Sequence, residues 1–327
     1  MTKFKVIKLS PLKILAIAFC LFLMVLLIIK PDIYIVSAKN GLILFASAVL
    51  PALFPFFFFT TFLTKLGAAK YISKLGKKPF RVLYNAPPVS SYIFTMSILS
   101  GYPVGARLIS DFYSNDMLTS VEATKCASFC STSNPVFILG TVGTIIFNDI
   151  KIGLIIYIAH ILSALLNGLL YRGRARNTDF KSFDVKLLDN CDNILSESIY
   201  AATNSMLAVG GFICIFTIFL DALGNIGVFS FFANMFSNAI PPEITIAFMS
   251  GAVEMTKGCF LTSALAASSQ LKASLCCATI SFGGLGILAQ CITFLSRCRI
   301  KVWFIILQKI TQSILSFAIC YALTFFL

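Results

Sequence analysis

Glu254 and Lys257 are the side chains whose type and spacing most clearly suggest chemistry, because both lie in an otherwise apolar stretch. They are three residues apart, which places them on one face of a helix, where they can pair. An ionisable group inside a membrane-spanning helix costs about 3 kcal/mol on insertion scales, so we expect it to have a functional reason. We expect Lys257 to contact an anionic group of a solute, with Glu254 orienting it or taking a coupling cation. Arg107 is a third candidate; the alternatives are a structural Glu254–Lys257 ion pair and an Arg107 side chain that reaches the cytoplasmic interface.

Two stretches that interrupt apolar segments provide the second set of candidates. In the first, Asn134 precedes Pro135, which is typical of a helix N-cap followed by proline at the first helical position. In the second, Gly283 and Gly284 allow another backbone to approach closely. An interrupted helix exposes unpaired N–H groups and a partial positive charge, and carboxylates bind well at such ends. The predicted substrate-binding residues are Arg107, Ser131, Ser133, Asn134, Glu254, Lys257, Gly283, Gly284 and Gln290.

The sequence carries no signature of catalysis or of a metal site. It has no serine-hydrolase or zinc-protease motif, no phosphate-binding loop and a single histidine, His160, for which a helix-packing role is expected. Its 11 cysteines include no CxxC motif. Cys126 and Cys130 are four residues apart, but no third ligand lies nearby to complete a metal site. We therefore expect no catalytic residue, no metal and no cofactor.

The composition indicates the solvent in which these residues act. Hydrophobic residues make up 58% of the 327 residues and charged residues only 12%, whereas a soluble domain carries about 25% charged residues. Such a chain cannot solvate the surface of a water-soluble globule, so the composition excludes a soluble enzyme, a disordered protein and a nucleic-acid binder. It predicts an all-α fold, a polytopic transmembrane helical bundle.

The positive charge is concentrated in short segments beside apolar runs. The net charge is +13, and four clusters hold 18 of the 26 Lys and Arg residues. This is the positive-inside pattern, so we place the clusters and the N-terminus on the cytoplasmic side, where the basic residues can contact anionic membrane lipids. The first cluster precedes an apolar run at 14–29, which we interpret as an uncleaved helix; a cleaved signal peptide is the alternative. The clusters are Lys3, Lys5, Lys8 and Lys13; Lys65, Lys70, Lys74, Lys77, Lys78 and Arg81, in a basic loop at 65–81; Arg172, Arg174, Arg176, Lys181 and Lys186; and Arg297, Arg299 and Lys301.

A weak internal repeat relates the two halves of the chain. Ser100-Gly101 recurs as Ser250-Gly251 at an offset of 150 residues, and the shared positions include the helix breakers. Chance similarity is the alternative, because the identities are few. Each half is expected to hold a re-entrant hairpin, at 89–114 and about 226–268, and a broken span, at 120–147 and 271–296. The predicted hairpin tips are Gly101, Pro103, Gly105 and Gly251.

Each half would cross the membrane three times, so two halves in series must have opposite orientations. With the first helix this gives seven crossings and the inverted-repeat plan of many secondary transporters. Pro51 and Pro55 should kink or break the span at 41–64. The predicted parts are 1–40, an extra transmembrane helix; 41–171, the first repeat; 172–193, a polar cytoplasmic linker; and 194–327, the second repeat.

Four motifs together resemble the YlbJ-type sporulation integral membrane proteins, over about residues 40–300. The motifs are Ser100 to Arg107, Ser131 to Pro135 followed by Gly140 to Gly143, Gly251 to Gly258, and Ser281 to Gly284 with Gln290. The YlbJ type is similar to the wider nucleoside-recognition, or Gate, domain group. The resemblance implies a spore-forming bacterium and movement of dipicolinate, an aromatic dicarboxylate, across the outer forespore membrane.

Three functional hypotheses follow. The first is a transporter of a small anionic solute, because a dianion needs positive partial charge at membrane depth. The second is a nucleoside or other solute importer of the plasma membrane. The third is a non-transporting assembly factor, which would act through the linker at 172–193. We expect membrane lipids as partners, and either a homo-oligomer or other sporulation membrane proteins; nucleic acid is not expected.

Overall fold

The structure, a computed structural model, describes residues 11–173 and 193–326, and every regular element assigned there is helical. Two π-helical segments, Phe45–Val49 and Val136–Ile146, lie among the α-helices. The α-helices are α1 (Pro11–Ile29), α2 (Pro31–Leu44), α3 (Leu50–Lys65), α4 (Ala68–Tyr84), α5 (Val89–Ser100), α6 (Val104–Ser114), α7 (Ser120–Phe129), α8 (Ile150–Leu170), α9 (Ile194–Asn225), α10 (Val228–Met235), α11 (Pro242–Val253), α12 (Met255–Ser263), α13 (Ser269–Phe282), α14 (Gly284–Leu295) and α15 (Val302–Leu323).

Within the described residues, five helical stretches are long and apolar enough to cross a membrane. Large apolar side chains on outward faces, such as Ile28 (76% exposed) and Leu207 (64% exposed), fit contact with lipid rather than water. The all-α membrane architecture is therefore confirmed, whereas the count of seven crossings stays a prediction. The predicted spans at 14–29 and 120–147 are not among the five, which are Pro31–Lys65, Ile150–Leu170, Ile194–Asn225, Ser269–Cys298 and Val302–Leu323.

The helix containing Pro51 and Pro55 is continuous rather than broken. It runs from Pro31 to Lys65, and the π-helical segment Phe45–Val49 lies directly before Pro51. Pro51 stands in the first turn of α3. The proposed boundary between residues 40 and 41 falls inside this stretch.

The basic segment that we predicted as a loop at 65–81 is mostly the helix α4. The helix begins after Gly67, which has a φ of 77°. Its lysines recur at helical spacing with apolar residues between them, so the segment forms an amphipathic helix. The Lys3, Lys5 and Lys8 part of the first cluster, and the linker between residues 174 and 192, lie outside the described residues.

Four interruptions divide the centre of the bundle. They fall between α5 and α6, between α7 and the segment Val136–Ile146, between α11 and α12, and between α13 and α14. A capping box starts α7: the Thr119 hydroxyl accepts from the Glu122 N–H, and the Glu122 carboxylate accepts from the Thr119 N–H. Helix α6 packs against α14, and α12 packs against Val136–Ile146. Helices next to the interruptions of one half therefore contact helices next to the interruptions of the other half.

Candidate functional site

A cavity lies where the interruptions meet. Its walls come from α2 and α3, α9, the α5–α6 joint, the segment before Val136–Ile146, the α11–α12 joint and α14. Most of the lining is apolar and includes Phe137, Val209 and Ile287. The cavity brings together five residues that the sequence analysis selected: Gly101, Ser133, Asn134, Glu254 and Gln290.

Asn134 lines this cavity and has an unused hydrogen-bond donor. Its Oδ1 accepts from the Phe137 N–H at 2.7 Å, which caps the following helical segment as predicted. Its Nδ2 has no partner, although the residue is only 1% exposed. Because an unsatisfied buried donor costs about 1–3 kcal/mol, the amide is suited to a ligand oxygen.

Gly101 packs directly on this cap. It has a φ of 76°, a conformation that glycine adopts far more easily than other residues. A Cβ at this position would lie 2.8 Å from the Asn134 backbone nitrogen. Gly101 therefore joins the first hairpin to the first broken segment by direct backbone packing.

Glu254 occupies the joint between α11 and α12 and caps α12. Its two carboxylate oxygens accept from the Thr256 N–H at 3.0 Å and from the Lys257 N–H at 2.7 Å. Gly284, with a φ of 71°, packs on this joint: a Cβ there would lie 3.0 Å from the Val253 carbonyl oxygen. The second pair of interruptions thus also meets through glycine and a capped helix start.

His160 connects the two pairs of interruptions. It is fully buried, and its Nε2 accepts from the Ser133 N–H at 2.9 Å. Since Nε2 is an acceptor, the proton must be on Nδ1, which donates to Ser281 Oγ at 2.7 Å. His160 is therefore a neutral packing residue, in agreement with the role expected for it.

Lys309, which the sequence analysis missed, lies in the middle of α15 and is 4% exposed. Its ammonium donates to Tyr102 Oη at 2.8 Å, to Gln312 Oε1 at 3.0 Å, and to the carbonyl and hydroxyl oxygens of Ser131 at 3.3 and 3.4 Å. Tyr102 also lines the cavity. The rule that selected Lys257, an ionisable residue inside an apolar span, would have found Lys309 as well.

The structure places the other predicted cations away from the cavity. The Lys257 ammonium pairs with Asp221 at 2.8 Å and is 49% exposed, so it does not pair with Glu254. Arg107 donates to Ser205 Oγ at 2.6 Å and lines a second cavity beside Lys65. Of the three charged residues that the sequence analysis selected, Glu254 therefore lines the central cavity, whereas Lys257 and Arg107 do not.

Two of the remaining predicted residues occupy the joints themselves. Pro103 directly precedes α6, and Gly283 ends α13 with a φ of 86°. Gly105 and Gly251 were predicted at hairpin tips, but they lie inside α6 and α11. In the second half the chain turns at Glu254, three residues beyond the glycine that the repeat aligns with Gly101.

One curated relative matches the chain along nearly its whole length. It is the sporulation integral membrane protein YlbJ of Bacillus subtilis strain 168, which is 27% identical over 332 residues, covering 94% of this chain and 81% of the relative. This chain is similar to the YlbJ-type sporulation proteins. The predicted resemblance is thereby confirmed, and together with the apolar helices it identifies an integral membrane protein.

No protein-family model matches the chain, and no solved structure matches it. The wider similarity to nucleoside-recognition domains therefore stays a prediction. Among the described residues, no group of three or more His, Cys, Asp or Glu side chains could hold a metal ion.

Proposed function

We propose that this chain transports a small carboxylate-bearing solute, with dipicolinate as the solute, across the outer forespore membrane during sporulation. The YlbJ relative, which is described as a sporulation integral membrane protein, supports the cellular setting. The observation that carries the proposal is the unpartnered Asn134 Nδ2 at a cavity between interrupted helices. A carboxylate oxygen is a suitable acceptor for this donor.

The cavity suits an aromatic acid in a second respect. Its apolar lining, which includes Phe137, Val209 and Ile287, can cover the faces of a ring. Asn134 and Gln290 supply amide groups that can orient polar substituents. Glu254 is the one carboxylate among the lining residues, so an anionic solute binds well only when that charge is offset.

The proposal includes the inverted arrangement of residues 41–171 and 194–327 with a cytoplasmic N-terminus. Its support is that each half contains an interrupted helix pair and an interrupted span, and that the interruptions meet at one cavity. Alternating access of a central site by rocking of two such halves is a common transporter mechanism. Single cysteines introduced near 103 and near 254 should react with a membrane-impermeant thiol reagent from opposite sides; labelling from the same side would contradict inversion.

Transport itself is testable with purified protein in liposomes. Vesicles containing the chain should exchange labelled dipicolinate for unlabelled dipicolinate faster than protein-free vesicles. Arg107 and Lys257 variants should still exchange it, because their side chains have protein partners outside the central cavity. Absence of exchange by folded protein would contradict the proposed function.

A nucleoside is the second candidate, favoured by the charge of the cavity. Sugar hydroxyls can donate to the Glu254 carboxylate, and Asn134 and Gln290 can bind base edges. An uncharged solute would not require the Glu254 charge to be offset. Competition by unlabelled nucleosides for dipicolinate exchange separates the two: inhibition at equal concentration favours the nucleoside, and no inhibition favours the dicarboxylate.

A further inference from the structure

The electrostatics of the central cavity pose a problem for an anionic solute. Glu254 lines it, whereas no lysine or arginine of the described residues does. The buried cation next to it is Lys309, which contacts the hydroxyl of the cavity residue Tyr102 and lies 4.6 Å from the centre of its ring. A charge there acts on the cavity with little screening, because both residues are buried.

The surroundings of Lys309 are neutral. Its partners are the hydroxyl of Tyr102, the amide of Gln312 and the oxygens of Ser131. No carboxylate of the described residues forms an ion pair with it. None of these neighbours therefore carries a negative charge that pairs with the ammonium.

The titratable groups on the helices packed against α15 do not supply a counter-charge either. His160 on α8 is neutral, because one ring nitrogen accepts from a backbone N–H. Cys291 on α14 and Cys277 on α13 are fully buried thiols, and the Cys277 thiol lies against the Ile156 carbonyl oxygen. Helix α7 contributes the buried thiol of Cys126, and its Lys125 ammonium donates to the Asn85 carbonyl oxygen. The one carboxylate of α7, Glu122, accepts from the N–H and the hydroxyl of Thr119 at the start of its own helix and forms no ion pair with Lys309.

We propose that Lys309 binds the proton that crosses the membrane together with the solute anion, so that the chain is a proton–anion symporter. This inference rests on the proposed function. With Lys309 protonated, its ammonium offsets the Glu254 charge and the anion binds. When the anion leaves, water enters the emptied cavity and takes the proton of the Tyr102 hydroxyl, while the Lys309 ammonium passes its own proton to the Tyr102 oxygen, so that a neutral amine and a neutral tyrosine remain.

Tyr102 couples the protonation of Lys309 to the packing of the helices. Its hydroxyl lies 3.3 Å from the carbonyl oxygens of Ile280 and Ser281, at the end of α13, and accepts from Lys309. A neutral Lys309 amine accepts a hydrogen bond, so the Tyr102 hydroxyl can turn from the α13 carbonyls to that nitrogen. The charge of Lys309 thereby sets how firmly the α5–α6 joint is held to the end of α13.

The test uses the full chain in liposomes that contain a trapped pH indicator. At neutral pH a dicarboxylate is fully ionised and carries no proton of its own. A dipicolinate gradient should therefore drive proton movement in the direction of the solute, in a fixed ratio to it. Proton movement should fall at least about tenfold, or 1.4 kcal/mol in free-energy terms, in both Lys309→Arg and Lys309→Gln.

The two variants fail in different ways, which separates the proton role from a structural one. Arginine keeps the charge but does not release its proton, so Lys309→Arg should still exchange labelled for unlabelled dipicolinate, but without the accompanying proton movement. Lys309→Gln lacks the charge and should bind dipicolinate at least about tenfold more weakly. The same two substitutions at the exposed Lys151 are the matched controls.

Each outcome decides the inference. Wild-type exchange and net flux without proton movement would overturn the symport inference and leave the proposed transport intact. Proton coupling that survives in a folded Lys309→Arg variant would assign the proton to another group and also overturn it. Absence of any dipicolinate exchange by wild-type protein would contradict the proposed function and, with it, this inference.

Discussion

The two helix starts at the cavity, at Asn134 and at Glu254, perform the same local task with different chemistry. Each side chain caps a helical segment by accepting backbone N–H bonds. The amide of Asn134 needs one oxygen for this and keeps a free donor, whereas both oxygens of Glu254 are used and its charge remains. One side of the cavity therefore offers a donor and the other a negative charge, although similar folding requirements produced both.

The two regions also differ in how they are held. The first is fixed by side chains from distant helices, since Ser133 is bound by His160 and Ser131 by Lys309. The second is fixed mainly by its own backbone and by the close approach of Gly284. The first region therefore depends on contacts across the bundle, and the second depends on its local backbone packing.

The largest effects are expected from adding a methyl group at the two glycines. Gly101→Ala and Gly284→Ala both force a side chain into a left-handed conformation, at about 1–3 kcal/mol each, and both create a close backbone contact. Gly101→Ala should lower the melting temperature more, because its Cβ would come closer to backbone, at 2.8 Å rather than 3.0 Å. Thermal unfolding in detergent measures this, and equal melting temperatures for wild type and both variants would refute the packing described here.

Exchanging the two capping groups should change function more than stability. Asn134→Asp keeps the capping oxygen but replaces the free donor with an acceptor, so dipicolinate exchange should fall at least about tenfold. Glu254→Gln keeps one capping oxygen and removes the charge, so it should strengthen dipicolinate binding while lowering the free energy of unfolding by about 1 kcal/mol. Weaker dipicolinate binding by Asn134→Asp together with stronger binding by Glu254→Gln would support the comparison. Weaker binding by both variants would show that the charge of Glu254 assists solute binding.

His160→Phe should produce an intermediate effect confined to the first region. The substitution leaves the Ser133 N–H without its acceptor, at about 1–3 kcal/mol, and keeps the buried aromatic volume. The melting temperature should fall, and dipicolinate binding should weaken because the Asn134 segment loses its anchor. An unchanged binding constant together with a lower melting temperature would limit His160 to a purely structural role.

Lys257→Gln should have the smallest effect. Its ion pair with Asp221 is about half exposed on the lysine side, and such pairs contribute about 0–1 kcal/mol. Dipicolinate exchange should remain near the wild-type rate. A large loss of exchange in a folded variant would restore Lys257 to the solute site that the sequence suggested.

Local signals explain which parts of this architecture were predictable. The α7 capping box, the Asn134–Pro135 start and the Gly283–Gly284 interruption are decided within a few residues, and the structure has each of them. The partner of Lys257 is on α9, 36 residues away, and sequence spacing cannot show that pairing.

The contacts of Lys309 also could not be predicted from sequence spacing. Its contact with Tyr102 spans 207 residues and exists only because α15 packs beside the interruptions. The exact position of the second turn, at Glu254 rather than at Gly251, likewise depends on packing against Gly284. Residue type could have identified these side chains as candidates, but only the fold shows what they contact.

Equilibrium binding of labelled dipicolinate to the purified chain tests the central claim, that the solute binds at the cavity between the two capped helix starts. The measurement compares wild type with Asn134→Asp and with Asn148→Asp, the same change at an exposed asparagine outside the cavity. We predict saturable binding by wild type and by Asn148→Asp, and at least about tenfold weaker binding by Asn134→Asp. Equal binding by all three proteins would place the solute elsewhere and contradict the account.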